Sequence, residues 1–387
     1  MPVLHPSTMH RVAACVCAAL LPTLCGCAGD GLRPAPPTVV PELVGTPFTE
    51  TSFYARNVWD MQLFGGRIWL GHGDTIDNWG PIPIWSLDPA TGALAAEYTT
   101  DEEQVSVFRV LDGELYAPGI DPRGDWSLGQ FYRLEHDGWV RHRTIPHGVH
   151  AYDLALYGGR MYVALGTEAV PGQETLLEST DRGESWRVVT DEVSRVYALV
   201  ELGGELYAAR GFWNMPDSTA STMLRLEGGR FVPTPFDVSA LLPGIAPNSY
   251  VRMVRATPFR GALAFVVARN PSDWIPEALG VTADLREVRR VTLPDSAALP
   301  YDLLVRGDTL FALAAAPAPG GGYTVEVHAT ADAVHWREVL RFAAPTFARS
   351  FEESGGDFFF GLGCTYDAPS PAAGQIIRVR RPKQTAR

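Results

Sequence analysis

The stretch AYDLALYGGRMYVALG, Ala151 to Gly166, consists of two mainly apolar, alternating runs joined by the pair Gly158-Gly159. Alternation with a period of two predicts β-strands, and a two-residue Gly-rich connection predicts a tight hairpin turn between them. The pattern occurs six more times, as VWDMQLFGGRIWLGHG, VFRVLDGELYAPG, VYALVELGGELYAARG, VRATPFRGALAFVVAR, YDLLVRGDTLFALAAA and RSFEESGGDFFFGLG.

These hairpins recur at a nearly constant interval. Aligned on the second turn residue, they are separated by 47, 46, 45, 58, 46 and 48 residues. Each is followed by room for two further strands, such as TLLEST and WRVVT in the third repeat. Seven repeats of four strands predict an all-β protein, a seven-bladed β-propeller, and no sustained helical periodicity competes with it. The aligned residues are Gly66, Gly113, Gly159, Gly204, Ala262, Asp308 and Gly356.

The first 46 residues have the pattern of an export signal followed by a linker. The apolar run Val12–Leu24 has the length of a signal-peptide core, with translation starting at Met1 or Met9. Leu24-Cys25-Gly26-Cys27 resembles the bacterial lipobox, which implies lipidation of Cys27, although Cys25 departs from the pattern and simple cleavage nearby is the alternative. We therefore expect a lipoprotein-type signal at 1–27, a Pro-rich linker at 28–46 and the propeller at 47–387, in an outer-membrane lipoprotein facing the periplasm or the cell surface.

Composition limits the classes of partner. The chain has 387 residues, a formal charge of -12 and an isoelectric point near 5.2, which opposes binding to nucleic acid phosphates. Four of the five cysteines lie in 1–27, so Cys364 has no partner for a disulfide and is interpreted as a buried apolar residue, with a nucleophile as the alternative. We expect a monomer with a glycan or an envelope protein as its partner.

The octapeptide STDRGESW, Ser179 to Trp186, predicts a structured turn between the third and fourth strands of its blade. Short hydroxyl and carboxylate side chains at Ser179 and Asp181 can bond the turn backbone, Gly183 permits a tight path, and Trp186 can pack between sheets. The motif resembles the Asp-box, or BNR repeat, of sialidase-like propellers, which implies a structural role on the face opposite the active site. A weaker copy contains Asp332 and Trp336, and Thr282 to Asp284 begins a third.

Three repeats carry an aromatic residue followed by Asp at one offset, with the Asp six residues before the aligned turn residue. The shared register predicts that the three carboxylates surround one end of the central channel. Two interpretations stay open: a ligand site, or pairs that stitch neighbouring blades through backbone hydrogen bonds. The pairs are Trp59-Asp60, Tyr152-Asp153 and Tyr301-Asp302.

Other polar residues are predicted at the same channel mouth, because they precede inner strands or follow second strands. They are His72, Asp74, Thr167, Glu168, Arg210, Arg269 and Asp367 after second strands, and His150 and Arg349 before inner strands. Such groups suit acid–base chemistry, cation binding or an anionic sugar. We expect no cofactor, with Ca²⁺ as the one ion to consider.

The resemblance to sialidases implies an arginine triad, for which Arg210, Arg269 and Arg349 are the candidates, but the Arg-Ile-Pro motif of that family is missing. A binding module with stacking tryptophans, and a scaffold without a small-molecule site, are the other classes. We expect a binding propeller first and a sialidase-like glycoside hydrolase second. The candidate stacking residues are Trp59, Trp79, Trp213 and Trp274.

Overall fold

The computed structural model describes residues 39–380, except 75, 78, 125, 167–174, 191–193, 212–221, 245–249, 271–274 and 296. The described residues form seven four-stranded antiparallel sheets. The first strands of successive sheets contact one another at six of the seven junctions, which places them around a central channel. The predicted seven-bladed β-propeller is confirmed, and the blades are numbered by the order of their first strands. The predicted signal at 1–27, with Cys27, lies outside the described residues.

The strands of blades 1 to 3 follow the sequence order from the channel outward. They are β2 (Asp60–Phe64), β3 (Arg67–Gly71), β4 (Pro83–Leu87), β5 (Leu94–Thr99), β6 (Arg109–Leu111), β7 (Glu114–Pro118), β8 (Leu128–Glu135), β9 (Gly138–Pro146), β10 (His150–Tyr157), β11 (Arg160–Gly166), β12 (Leu176–Ser179) and β13 (Arg187–Val188).

Blades 4 to 6 repeat this order, and blade 7 takes its fourth strand, β1, from the N-terminal side of the chain. The strands are β14 (Arg195–Leu202), β15 (Glu205–Gly211), β16 (Thr222–Glu227), β17 (Arg230–Asp237), β18 (Tyr250–Phe259), β19 (Ala262–Asn270), β20 (Ile275–Thr282), β21 (Arg289–Val291), β22 (Leu299–Arg306), β23 (Thr309–Pro317), β24 (Tyr323–Thr330), β25 (Arg337–Ala344), β26 (Ala348–Ser354), β27 (Asp357–Leu362), β28 (Ile376–Arg380) and β1 (Glu42–Gly45). Short 3₁₀ turns cover Tyr54–Arg56 and Val238–Leu241.

The predicted inner hairpins are present, and their turns explain the glycines. Gly158 and Gly159 have φ angles of 57° and 74°, which the mirror-image hairpin turn requires and most L-residues avoid. Blade 5 differs from the sequence alignment: Phe259 pairs with Ala262, so its turn is Arg260-Gly261 and Ala262 is already in β19. The aligned residue of blade 5 is therefore Gly261.

Blade 7 joins the two ends of the described chain. Strand β1 pairs with β28, with Glu42 opposite Arg378, and a guanidinium nitrogen of Arg378 lies 2.9 Å from the Glu42 carboxylate. The propeller thus begins within the range 28–46 that the sequence suggests as a linker, and the boundary at residue 47 is wrong. The Pro-rich composition that marks the linker ends before Glu42.

Apolar side chains fill the spaces between blades. Between blades 6 and 7, the rings of Phe311 and Phe358 are 5.5 Å apart, and those of Phe342 and Phe360 are 5.0 Å apart. Since both faces of these strands are covered, their sequences are nearly continuous apolar runs. No helix within the described residues is long and apolar enough to cross a membrane.

The octapeptide forms the predicted turn between β12 and β13. The Ser179 hydroxyl donates to Asp181 Oδ1 at 2.7 Å and accepts from the Gly183 backbone N–H at 2.8 Å. Asp181 accepts from the Ser185 backbone N–H at 2.9 Å. Trp186 donates through Nε1 to Thr144 Oγ1 in blade 2, at 3.1 Å. The motif therefore orders one turn and attaches it to the neighbouring blade.

The weaker copies form related turns in blades 5 and 6. Asp332 accepts from the backbone N–H groups of Val334 and His335, both at 2.8 Å. Asp284 accepts from the Arg286 N–H at 2.9 Å. The Asp carboxylate and the Ser or Thr hydroxyl two residues before it thus both accept from the turn backbone in all three turns.

We predict that Asp181→Ala lowers the melting temperature, because the Ser185 N–H and the Ser179 hydroxyl lose their acceptor. Hydrogen bonds from the Ser185 hydroxyl, the Ser179 hydroxyl and the Ser185 N–H hold the pKa of Asp181 down, to about 2. Asp137→Ala is the matched control, since Asp137 is an exposed turn residue between β8 and β9 of blade 2. Thermal unfolding by circular dichroism compares the two, and equal melting temperatures would contradict the structural role.

Candidate functional site

Two faces of the propeller carry different loops. One face, here the mouth face, holds the loops between second and third strands and those leading into the inner strands. The opposite hairpin face holds the inner turns and the octapeptide turn. The sequence predicts the ligand site on the mouth face.

The three aromatic-Asp carboxylates connect neighbouring blades. Asp60, Asp153 and Asp302 each accept a hydrogen bond from a backbone N–H in the inner strand of the next blade or, for Asp60, one residue before it. In every case the donor lies five residues before its own aligned turn residue. The bonds run from Phe108 to Asp60 at 2.7 Å, from Leu199 to Asp153 at 2.8 Å and from Phe351 to Asp302 at 3.1 Å.

Arginines inside the channel complete these contacts. Arg109 forms a two-pronged pair with Asp153, at 2.6 Å and 3.0 Å. Arg255 of blade 5 reaches Asp60 of blade 1 at 2.9 Å and Asp302 of blade 6 at 3.3 Å. Arg255 has a left-handed φ of 53° within a β-bulge, and its two ion pairs hold this uncommon conformation in place.

Burial raises the pKa of two of these carboxylates, Asp302 and Asp60. It raises the pKa of Asp302 to about 7, although Arg255 opposes the shift. It also raises the pKa of Asp60, again against Arg255. The contacts of the three carboxylates are those of the stitching interpretation, since their oxygens already bond the next blade and the channel arginines.

The junction of blades 7 and 1 uses other residues that sequence reasoning missed. Ser350 donates through Oγ to Val58 O at 2.7 Å, and Glu352 accepts from the Leu63 N–H at 2.7 Å. Burial raises the pKa of Glu352 to about 7, against the effect of Arg306. The offset in the repeats was the available signal, because Ser350 and Arg255 occupy the same repeat position as the three Asp residues.

His72 and Asp74 are fully buried. His72 Nε2 lies 3.0 Å from Glu50 Oε1, and the ring packs 4.2 Å from that of Phe48. Asp74 accepts from the Ile76 N–H at 2.6 Å. Both residues therefore support the first loop of the mouth rather than line its surface.

His150 and Tyr152 belong to an aromatic stack at the mouth. The Tyr152 ring lies 5.6 Å from His150 and 4.6 Å from Tyr197. Tyr152 and Tyr197 both lie at β-bulges, where they are not paired with a residue of the neighbouring strand. Arg195 donates to the Tyr152 hydroxyl at 3.1 Å, and the Arg252 guanidinium lies 4.7 Å from the Tyr197 ring centroid. This side of the mouth is aromatic and cationic.

The blade 1–2 side of the mouth is acidic. Burial raises the pKa of Glu102 to about 7, against hydrogen bonds from Gln130 and Tyr132. Burial, and then the nearby Asp121 and Asp74, raise the pKa of Glu103 to about 8. Asp121 Oδ2 lies 3.4 Å from His150 Nε2, which connects the acidic side to the aromatic stack. Sequence reasoning missed Glu102 and Glu103, although their loop leads into the inner strand β6, because it considered only residues close to the start of each inner strand.

The three arginines of the expected triad have separate partners. Arg349 is buried with its guanidinium 4.0 Å from the Trp59 ring centroid, and its Nε donates to Asn57 Oδ1 at 2.9 Å. Arg210 donates to Thr222 Oγ1 at 2.7 Å, and Arg269 donates to Glu277 at 2.6 Å. Arg349 and Trp59 thus belong to the core between blades 7 and 1.

The remaining candidates have plain placements. Tyr301 stacks on Phe347 at 4.6 Å, and Asp367 is exposed. Cys364 is a buried free cysteine, and no cluster of metal-ligating side chains occurs among the residues that the structure describes. Outside those residues lie Thr167, Glu168, Trp213 and Trp274.

Three exposed aromatic side chains form what we call the aromatic rim: Trp79, Trp126 and Tyr366, at 37%, 49% and 38% exposure. Each lies in the loop between the second and third strands of its blade, and the blades, 1, 2 and 7, are adjacent. Tyr366 donates to Asp77 Oδ1 at 3.0 Å, which joins the loops of blades 7 and 1. Among the described residues, the aromatic members of the exposed large apolar set all lie on this face.

Comparison with known proteins supports the fold. No protein-family model matches the chain, and no curated protein matches it. Virginiamycin B lyase from Staphylococcus aureus, solved as a catalytically inactive variant with quinupristin, is 14% identical over 86% of this chain and 97% of its own, with a TM-score of 0.51. Hydrazine synthase from Kuenenia stuttgartiensis is 12% identical over 87% of this chain and 98% of its own, with a TM-score of 0.54. At these identities the likeness shows the β-propeller fold alone.

We predict that Asp153→Ala lowers the free energy of unfolding by about 3–5 kcal/mol, because it leaves Arg109 and the Leu199 N–H without their buried acceptor. Asp308→Ala is the control, since its ion pair with Arg260 is exposed and contributes about 0–1 kcal/mol. Urea unfolding measures both. A loss for Asp153→Ala as small as the control's would exclude the stitching role.

We also predict that stability falls as the pH rises from about 5 to 8. Glu102 and Glu103 have folded pKa values raised above their unfolded values, so the folded state binds more protons in this range and loses stability as they ionise. Glu102→Gln mimics the protonated acid, so the variant should lose less stability as the pH rises. At pH 8 the loss in its free energy of unfolding should be smaller than that of the wild type by on the order of 2 kcal/mol. Exposed Glu201→Gln leaves the slope unchanged. A Glu102→Gln profile parallel to the wild type would refute the assignment.

Proposed function

We propose that this protein binds a glycan at the mouth face of its propeller, as an exported, lipid-anchored component of a bacterial envelope. The observation that carries the binding proposal is the aromatic rim of Trp79, Trp126 and Tyr366 on three adjacent blades. Aromatic side chains normally lose contact with water on folding, so an exposed group on one face indicates a surface for a ligand. The N-terminal sequence at 1–27 supports the envelope location.

The polar side chains behind the rim suit a polar ligand. Arg195 and Arg252 lie beside the aromatic stack, whereas Glu102, Glu103 and Asp121 lie toward blades 1 and 2. A sugar offers hydroxyl groups that can both donate and accept, and its apolar ring face can stack on an aromatic ring. A mouth with donors on one side and acceptors on the other matches this chemistry better than a uniformly apolar partner.

Thermal unfolding against a panel of sialylated and neutral glycans tests the proposal. A ligand at about ten times its Kd stabilises the folded state by about 1.4 kcal/mol, because it binds that state alone. We expect one class of glycan to raise the melting temperature. If no glycan does so, the glycan proposal fails, and an envelope protein becomes the partner to test.

We predict that Trp79→Ala and Trp126→Ala each weaken this binding about 3- to 10-fold, since each removes one stacking contact. Both side chains are partly exposed, so their loss should leave the melting temperature of the free protein nearly unchanged. Val334→Ala, an exposed apolar residue on the hairpin face, is the control. Equal affinity of all three variants, measured by titration calorimetry, would show that the aromatic rim does not contact the ligand.

Hydrolysis of a glycoside is the second proposal. Glu103 supports it, because a carboxyl group with a pKa raised to about 8 is protonated at neutral pH and can act as a general acid. The burial of Arg349 argues against a sialidase-like arginine triad. Incubation of a stabilising glycan with the wild type and with Glu103→Gln tests this proposal. If Glu103 is the general acid, the wild type releases a hydrolysis product and the variant does not.

A further inference from the structure

A groove of about 450 Å³ opens between blades 3 and 4, on the hairpin face. Its volume is that of small-molecule sites. Tyr157, Tyr162 and Leu226 form its walls, and the turn glycines at 158 and 228 have no neighbouring atoms where a Cβ would stand. The groove is therefore open to a ligand and has aromatic sides.

Two arginines meet one carboxylate in this groove. Arg160 Nη1 lies 2.5 Å from Glu178 Oε1, and Arg187 Nη2 lies 2.6 Å from the same oxygen. Glu178 is buried, whereas the arginine side chains are 45% and 59% exposed. Two guanidinium groups against one carboxylate leave one uncompensated positive charge in the groove, in a chain whose formal charge is -12.

The arginines are positioned for a further acceptor. Each guanidinium carries about five N–H donors, and Glu178 accepts from only one or two of them on each arginine. The carboxylate fixes both heads side by side, which lowers the entropy cost of binding an anion. Burial, and then Glu178, raise the pKa of Tyr162 to about 12, so its phenol stays neutral beside them.

Blade 6 contains a related pair of an arginine and a buried glutamate. In blade 6, Arg341 lies 2.7 Å from buried Glu326, in the same third and fourth strands that carry Glu178 and Arg187 in blade 3. There Arg341 also pairs with Glu338 at 2.8 Å, so the carboxylates outnumber the arginine. Blade 6 therefore has no excess of positive charge at this position, whereas the blade 3–4 groove has one.

We propose that this groove binds an oxyanion, a carboxylate or a phosphate carried by a small molecule, through Arg160 and Arg187, with the aromatic walls against the rest of the ligand. The site lies on the face opposite the mouth and does not depend on the proposed glycan binding.

Titration calorimetry of the full chain with inorganic phosphate, acetate, glucuronate and glucose tests the proposal. We expect saturable binding of an anion and none of glucose. Tighter binding of glucuronate than of acetate or phosphate would indicate a sugar acid, and tightest binding of phosphate would indicate a phosphate ester. Absence of saturable binding by all three anions would overturn the proposal.

Variants separate this site from general charge effects. Arg160→Gln and Arg187→Gln should each weaken anion binding about tenfold, the loss expected for one charged hydrogen bond. Glu178→Gln should strengthen it, because the competing carboxylate charge is gone. Arg341→Gln is the matched control and should bind as the wild type does. An equal loss in Arg341→Gln, or no change in either groove arginine variant, would overturn the proposal.

Discussion

The propeller depends on a constraint of backbone chemistry at the channel. Inner strands of neighbouring blades diverge, so each leaves N–H groups that no strand ladder can satisfy, and a buried unpaired N–H is costly. Asp60, Asp153 and Asp302 supply the acceptors. In the repeat alignment, each Asp lies one position before the residue of the next blade that donates to it. Because the repeat copies the geometry, the same carboxylate position solves the same problem in three blades.

The carboxylates bring charge into the channel, and the arginines compensate for it. Arg255 spans blades 1, 5 and 6, so it ties together strands that do not all touch. Removal of either partner leaves a buried charge, which makes the network sensitive to substitution. The acidic and basic groups that remain for a ligand lie outward of this network, at the mouth.

The sequence predicts the blade number and the inner hairpins, because the alternation and the Gly-rich turns are local signals that repeat. It also predicts the turn at Ser179 and the common register of the three Asp residues. It does not predict their partners, because a backbone N–H of the next blade leaves no trace in the residue types. Arg255 stayed hidden since blade 5 turns at Arg260-Gly261 without a glycine pair, which moved the alignment by one residue. Strand β1 was missed because four residues are too few for a periodicity.

The pairing of β1 with β28 also fixes the order in which this molecule can be completed. The Glu42–Arg378 contact spans 336 residues, so the loop that it closes carries a large entropy cost and forms late. Until then, the outer edge of blade 7 presents open backbone groups that another chain could pair with. A ribosome that has released β1 must still produce all the other strands before β1 has a partner, so the earliest strand made is among the last to be secured.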